Sequence, residues 1–250
     1  MNQRTLNIVA VGLISLAVII SSAILSDGYK YKFTSQETIA TTGLAEKEFR
    51  SDIANWSVSF RRKSNSRTEG FTLLQKDAKR VKEYLISKGF KETDLKLTSV
   101  EADKSYVEKR EQNERGYYSY TQIFDGYNLS QSIEIETSDI LLVEQTSREI
   151  TELINEEIEI NSRTPSYYYS KLEDLKIALI ADATTNATNR AKNIAEKSNS
   201  GLGELRQASM GVFQITGKNS SEEYSWGGVY NTSDIDKKAS ITVKLQFGIK

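Results

Sequence analysis

The sequence predicts an α+β fold: a mixed or antiparallel sheet with three main helices packed on it, behind an N-terminal hydrophobic helix. Three observations carry this. Residues 6–25 contain no charge. Residues 54–60 and 241–247 alternate apolar and polar side chains, the period of a strand with one buried face. Three longer segments repeat apolar residues at spacings of three and four, and they interleave with strands irregularly rather than in strict βαβ alternation.

The first element is apolar all round, without the stripe of a soluble core helix. About 20 such residues suffice to span a bilayer. Arg4 and the α-amine also fit the positive start of a secretory signal, with Ser21-Ser22-Ala23 or Ser26 as small-residue cleavage points. Ile24 and Leu25 extend the apolar run past the first of these, which favours an uncleaved anchor. Both readings stay open. No cysteine is available for a lipid anchor. Residues 1–28 are therefore expected to be a signal peptide or membrane anchor, 29–37 a polar linker, and 38–250 one domain on the extracytoplasmic side.

A strand is expected at 39–45 and a second at 54–60, with Ala54, Trp56, Val58 and Phe60 inward. Ser66 and Glu69 have the spacing of a capping box. The helix they open carries Phe71, Leu74, Ala78, Val81 and Leu85, and Gly89 suits its left-handed C-terminus. A short strand at 95–100 follows. Residues 103–125, charged and tyrosine-rich with Gly116, read as an extended hairpin arm or a mobile loop. Residues 127–136 resume as a strand. Ser138 or Asp139 caps a second helix with Ile140, Val143, Ile150 and Leu153. A short strand covers 158–160, and Pro165 with the three tyrosines after it form a connection or short strand. Ser170 and Glu173 make another capping-box pattern before a helix over 172–199, ended by Gly201. Strands at 205–215 and 240–247 close the chain.

Composition narrows the chemistry. With 33 basic and 34 acidic residues the net charge is −1, which gives no electrostatic footprint for nucleic acid. There is no cysteine and no histidine. This removes disulfides, thiolate nucleophiles, Ser-His-Asp triads and the usual zinc sites. Glu46, Glu48, Glu156 and Glu157 lack the spacing of a calcium loop. Gly201-x-Gly203 follows a helix rather than a strand, so it is no dinucleotide fingerprint. An enzyme would need carboxylates, Lys, Tyr or an oxygen-ligated metal, and the expectation is a non-enzymatic chain with no cofactor, no metal and no catalytic residues.

Several short motifs occur in a characteristic order. They are Gly43 in the first strand, Ser51-Asp52-Ile53-Ala54, Lys88-Gly89-Phe90 with Glu92-Thr93-Asp94-Leu95, and Gly126-Tyr127-Asn128. Ala187-x-x-Arg190-Ala191-x-x-Ile194-Ala195 and Gly201-Leu202-Gly203 complete the series. In this order and spacing the chain resembles the SIMPL domain family of bacterial envelopes over residues 38–250. Ser51 stands where the family usually has Pro, and the tyrosine-rich stretch before Gly126 is a second departure. The resemblance implies an α+β domain, usually exported, with no enzyme activity to carry over. It also implies a link to envelope stress tolerance and, in some members, assembly into rings. The matching positions Asp52, Gly126, Tyr127, Arg190 and Gly203 read as structural. Asp52 is expected to bond nearby backbone N–H groups in its turn, and Arg190 to form an ion pair or cap a carbonyl.

Three aromatic groups remain: Tyr117, Tyr118 and Tyr120; Tyr167, Tyr168 and Tyr169; and Tyr224, Trp226 and Tyr230. Ordinary half-buried strand packing explains them most simply. If they converge, they offer a surface for another subunit, a homo-oligomer or an envelope protein, or alternatively for a cell-wall glycan or peptide. The sequence reading is thus an envelope protein, membrane-bound through residues 6–25, acting by self-association or protein–protein interaction.

Overall fold

A computed structural model describes residues 3–34, 37–112 and 117–250. The fold is α+β, with the strands divided between two sheets.

α1 (Gln3–Thr34) is a single helix whose side chains over 12–29 are all exposed. Its segment Gly12–Tyr29 is long and apolar enough to cross a membrane, with mean hydropathy 1.6. The helix runs through much of the stretch expected as polar linker. No proline interrupts it, and Gly28 alone costs only about 1 kcal/mol in a helix.

β1 (Thr38–Arg50) leads through Ser51 and Asp52 into β2 (Ile53–Ser64), and each joins a different sheet. α2 (Arg67–Lys88) follows, capped by Ser66, whose hydroxyl accepts the Glu69 N–H at 3.5 Å. The capping box is only half made, because the Glu69 carboxylate takes the Ser64 hydroxyl instead. Gly89 ends the helix at φ 115° as expected. Phe71 is exposed. Its expected place on the buried face is held by Gly70, where a Cβ would lie 2.5 Å from Leu129.

β3 (Leu95–Leu97), β4 (Glu101–Gln112) and β5 (Tyr118–Thr137) come next. The expected arm is therefore a β-hairpin. Gly116 lies outside the described residues. Asp139 caps α3 (Ile140–Glu149) by accepting the Leu142 N–H, and a 3₁₀ turn, Ile150–Glu156, continues it. β6 (Glu159–Ser162) and β7 (Ser166–Tyr168) both pair with β2.

α4 (Leu172–Lys197) lacks the expected capping box, since Ser170 bonds Asp52 and Glu173 pairs with Lys176. At its far end Asn199, at φ 53°, supplies the left-handed residue. Gly201 instead pairs with Lys250. β8 (Leu202–Met210) and β9 (Gln214–Gly217) are separate strands where one was expected. β10 (Val229–Tyr230) and the long β11 (Asp236–Ile249) complete the chain.

The first sheet runs β1-β11-β9-β10, with β8 also on β11. All its pairings are antiparallel except β9–β10. α4 covers one face. Ile39, Ile241, Val243, Leu245 and Phe247 meet Leu175, Leu179, Ala183, Ala187, Ala191 and Ala195. Ala195 closes the helix stripe, and Ile194 beside it is exposed. The second sheet runs β3-β5-β2-β6, with β4 on β5 and β7 on β2. α2 and α3 cover it over Ala54, Trp56, Val58, Phe60, Leu129, Ile133 and Ile135. The three soluble helices thus divide two and one between two cores.

Candidate functional site

The hairpin of β4 and β5 begins inside the second sheet and leaves it. Glu101 to Lys104 pair with Ser130 to Tyr127, where β2 flanks β5 on its other side. Beyond Tyr127 only the seven pairs from Tyr106–Phe124 to Gln112–Tyr118 continue, as a two-stranded ribbon exposed at every one of these residues. At about 3.4 Å per residue the ribbon is roughly 20 Å long.

A β-bulge at Gly126 marks the exit. The register jumps between Lys104 and Tyr106, and Gly126 sits at φ 93°. A Cβ there would lie 2.7 Å from the Ser64 carbonyl oxygen, so the position demands glycine twice over. The extra residue has a consequence for the arm. It reverses the alternation of β5, so that the even residues 118–124 fall on the face that Tyr127, Leu129 and Ile133 turn toward the helices. Tyr106, Phe124, Tyr120 and Tyr118 therefore form one aromatic face continuous with the covered face of the sheet.

Contacts along this face are specific. Phe124 meets Tyr127 edge-on at 5.2 Å and Tyr106 at 6.0 Å between centroids. The Arg67 guanidinium, in the first turn of α2, lies 5.0 Å from the Tyr127 ring. Near the tip, the Arg110 guanidinium sits 3.5 Å from the Tyr118 centroid. On the opposite face, Lys109 pairs with Glu111 at 2.7 Å, which raises the amine and lowers the carboxyl from their ordinary values.

The other two aromatic groups lie elsewhere. Tyr167, 5% exposed, belongs to the core of the second sheet and cannot be a docking residue as expected. Tyr168 packs on Tyr230 at 6.4 Å and Tyr169 on Phe49 at 5.0 Å. The three consecutive tyrosines thus tie the two sheets together. Trp226 is fully exposed, on the β9–β10 loop of the first sheet, beside a hollow of about 350 Å³ lined by Leu44, Val212 and Tyr224.

The structural matches fall into place around the same joint. Asp52 does not bond its own turn. Its carboxylate reaches across 118 residues to accept the Ser170 N–H at 2.7 Å and the Ser170 hydroxyl at 2.6 Å. Asp52→Ala is expected to lower unfolding free energy by about 1–2 kcal/mol, while Asp52→Asn, keeping one acceptor, loses less. Urea unfolding checks this, and equal stability of Asp52→Ala and the parent would remove the staple from the account. Arg190 caps the Thr42 carbonyl at 2.9 Å, with no ion pair among the described residues. Gly203 faces the Gly248 backbone, where a Cβ would sit 2.7 Å from its carbonyl oxygen.

Nothing in the sequence singled out Lys237. It begins β11, is 1% exposed, and donates to the Tyr167 carbonyl at 2.5 Å across the joint. Burial drives its pKa down to about 8, against the opposing pull of Asp234 and Glu222. Those two carboxylates are bridged by Asn231, at 2.9 and 2.8 Å. The Asn231 bond is also the main reason Glu222 titrates below the usual carboxylate range. A lysine followed by another, in Asp236-Lys237-Lys238, looks like a solvated edge in sequence.

Among the described residues, no group of three or more acidic side chains is placed to hold a metal ion. Along the arm the arrangement offers an extended aromatic surface.

A search of curated proteins finds no match. A family model, SIMPL, described as a protein of unknown function (DUF541), matches residues 39–247. That range takes in both sheets, the joint and the whole arm, and bears out the resemblance read from the ordered motifs. The chain belongs to the SIMPL family.

Proposed function

We propose that this chain is a non-enzymatic envelope protein, held at the membrane by α1, that works by self-association through the aromatic arm. The observation that carries the reading is the arm itself. A two-stranded ribbon is marginal in water on its own, and this one presents Tyr106, Tyr118, Tyr120 and Phe124 on one uncovered face. Covering that face with another protein surface removes aromatic area from water and supplies the packing that the ribbon lacks. The exposed apolar helix supports attachment to a membrane, and on this reading the domain lies on the extracytoplasmic side.

The test uses the full chain in detergent micelles, with mass measured by light scattering. The parent is expected to associate, and Tyr118→Ser with Tyr120→Ser to shift it toward monomer with unchanged circular dichroism. A parent that stays monomeric at every concentration overturns the reading. Sedimentation with isolated cell wall, abolished by the same substitutions, would replace it with glycan or peptide binding.

A further inference from the structure

We infer that two copies of the chain pair their arms edge to edge through β4, antiparallel about a two-fold axis at Lys109, to make one four-stranded ribbon. This rests on the proposed reading of the arm as a self-association surface and adds to its aromatic face a second contact, along the edge.

The geometry begins with the edge. β5 pairs with the inner edge of β4, and among the described residues no strand pairs with the outer edge. An open edge of this length is a template for another strand. The part of β4 that has left the sheet, Tyr106 to Gln112, is centred on Lys109. An antiparallel partner that covers the whole of this free segment and nothing else therefore has residue 109 opposite residue 109. Its pairs are Tyr106 with Gln112, Val107 with Glu111, and Glu108 with Arg110, each occurring twice. A two-fold axis perpendicular to the ribbon keeps both aromatic faces on the same side. The two second sheets then lie at opposite ends of the ribbon, clear of one another.

Charge selects the same register. Edges are usually protected by charges that repel an incoming strand. Here Glu108 has no ion pair within its own chain among the described residues, and the centred register sets it across from Arg110 of the second copy. Shifting the centre to 108 faces Glu108 with Glu108, and shifting it to 110 faces Arg110 with Arg110. Like charges directly opposite destabilise a strand pair. The centred register does bring two Lys109 ammonium groups together on the opposite face. Each is already neutralised by its own Glu111 at 2.7 Å. Four strands with an aromatic face also exceed the minimum that an isolated ribbon fails to reach.

The register makes a reciprocal prediction. Glu108→Arg gives a copy with two cations at these positions, and Arg110→Glu gives one with two anions. Each variant alone is expected to dimerise at least about 10-fold more weakly than the parent, from two cross-strand contacts turned repulsive. An equimolar mixture restores every contact and should dimerise within about 3-fold of the parent, as a heterodimer. The recovery shows that neither variant is misfolded. The chain has no cysteine of its own, so Lys109→Cys supplies an independent readout. Residues opposite in an antiparallel pair have Cα atoms about 4.5–5.5 Å apart, within disulfide range. Mild oxidation should crosslink Lys109→Cys and leave Val107→Cys uncrosslinked.

If the parent associates, but the two charge variants associate equally well and Lys109→Cys does not crosslink, edge pairing is wrong while association through the aromatic face stands. If mixing fails to restore weakened variants, the two-fold register is wrong. A monomeric parent removes both this pairing and the function it rests on.

Discussion

Gly43→Ala is expected to cost at least about 3 kcal/mol of stability and to lower Tm by at least about 6 °C. Gly43 is in β1 beneath α4. A Cβ at this position would fall 2.0 Å from the Ala183 carbonyl oxygen and 2.5 Å from the Ala187 nitrogen. Both are backbone atoms of the helix, so no side-chain rotation relieves them. The helix must lift from the sheet, and two ties then fail with it. Thr41 donates its hydroxyl to the Ala187 carbonyl at 2.9 Å inside the core, and Arg190 caps the Thr42 carbonyl at 2.9 Å. The column Ala183, Ala187, Ala191 and Ala195 exists to permit this approach. The conflict with backbone has a sharp corollary. Ala187→Gly removes only the third contact, a Cβ at 2.9 Å, and should not rescue Gly43→Ala. Thermal unfolding of the three variants checks this. Full rescue would mean that the helix stands further from the strand and touches it only through side chains.

The second large effect is a pH dependence with an unusual sign. Lys237 is buried, and burial holds its folded-state pKa near 8, below the ordinary lysine value of 10.5. Below pH 8 both folded and unfolded chains carry the proton, so the full cost of the buried charge is present. Between about pH 8 and 10.5 the unfolded chain binds more protons than the folded one, and stability therefore rises with pH. The whole span corresponds to about 3 kcal/mol, of which a rise from pH 7 to 9.5 should reveal on the order of 2. Tyr84, Tyr167 and Tyr230 titrate above their ordinary value because of burial, which pulls the opposite way above pH 10 and sets the upper limit of the window. Lys237→Met keeps the volume and removes the charge. It should be near neutral or stabilising at pH 7, because the lost bond to the Tyr167 carbonyl is offset by relief of the buried ammonium. Its stability should not change over the same pH range. Denaturant midpoints at pH 7 and 9.5 decide the matter, and a slope that persists in Lys237→Met would assign the effect to other groups.

Much of the fold was legible because it follows from short-range rules. The inward sets Ala54, Trp56, Val58 and Phe60, and Ile241, Val243, Leu245 and Phe247, are buried as their alternation requires. Leu175, Leu179 and the alanines after them face a sheet as their spacing requires. Helix ends were less legible, because capping groups have competing partners. Ser170 has the spacing of a cap but finds Asp52, and Gly201 looks like a helix stop but pairs with the last residue of the chain. The arm was recognisable as charged and tyrosine-rich. Which way its tyrosines face was not, since that depends on one bulge residue, Gly126.

The sequence alone determined the element types, the apolar N-terminal helix, the exclusion of histidine and cysteine chemistry, and, through ordered motifs, the family. These depend on composition and on spacings of two to four residues, which neighbouring side chains impose directly. The tertiary structure alone decided that the strands split into two sheets and that Tyr167, Tyr168 and Tyr169 join them. It also decided that Lys237 is buried at the joint, and that the aromatic arm stands free with an open edge. Those are contacts between residues tens to hundreds of positions apart. Their energy depends on which strands pair and which faces are left uncovered, and no local pattern specifies either.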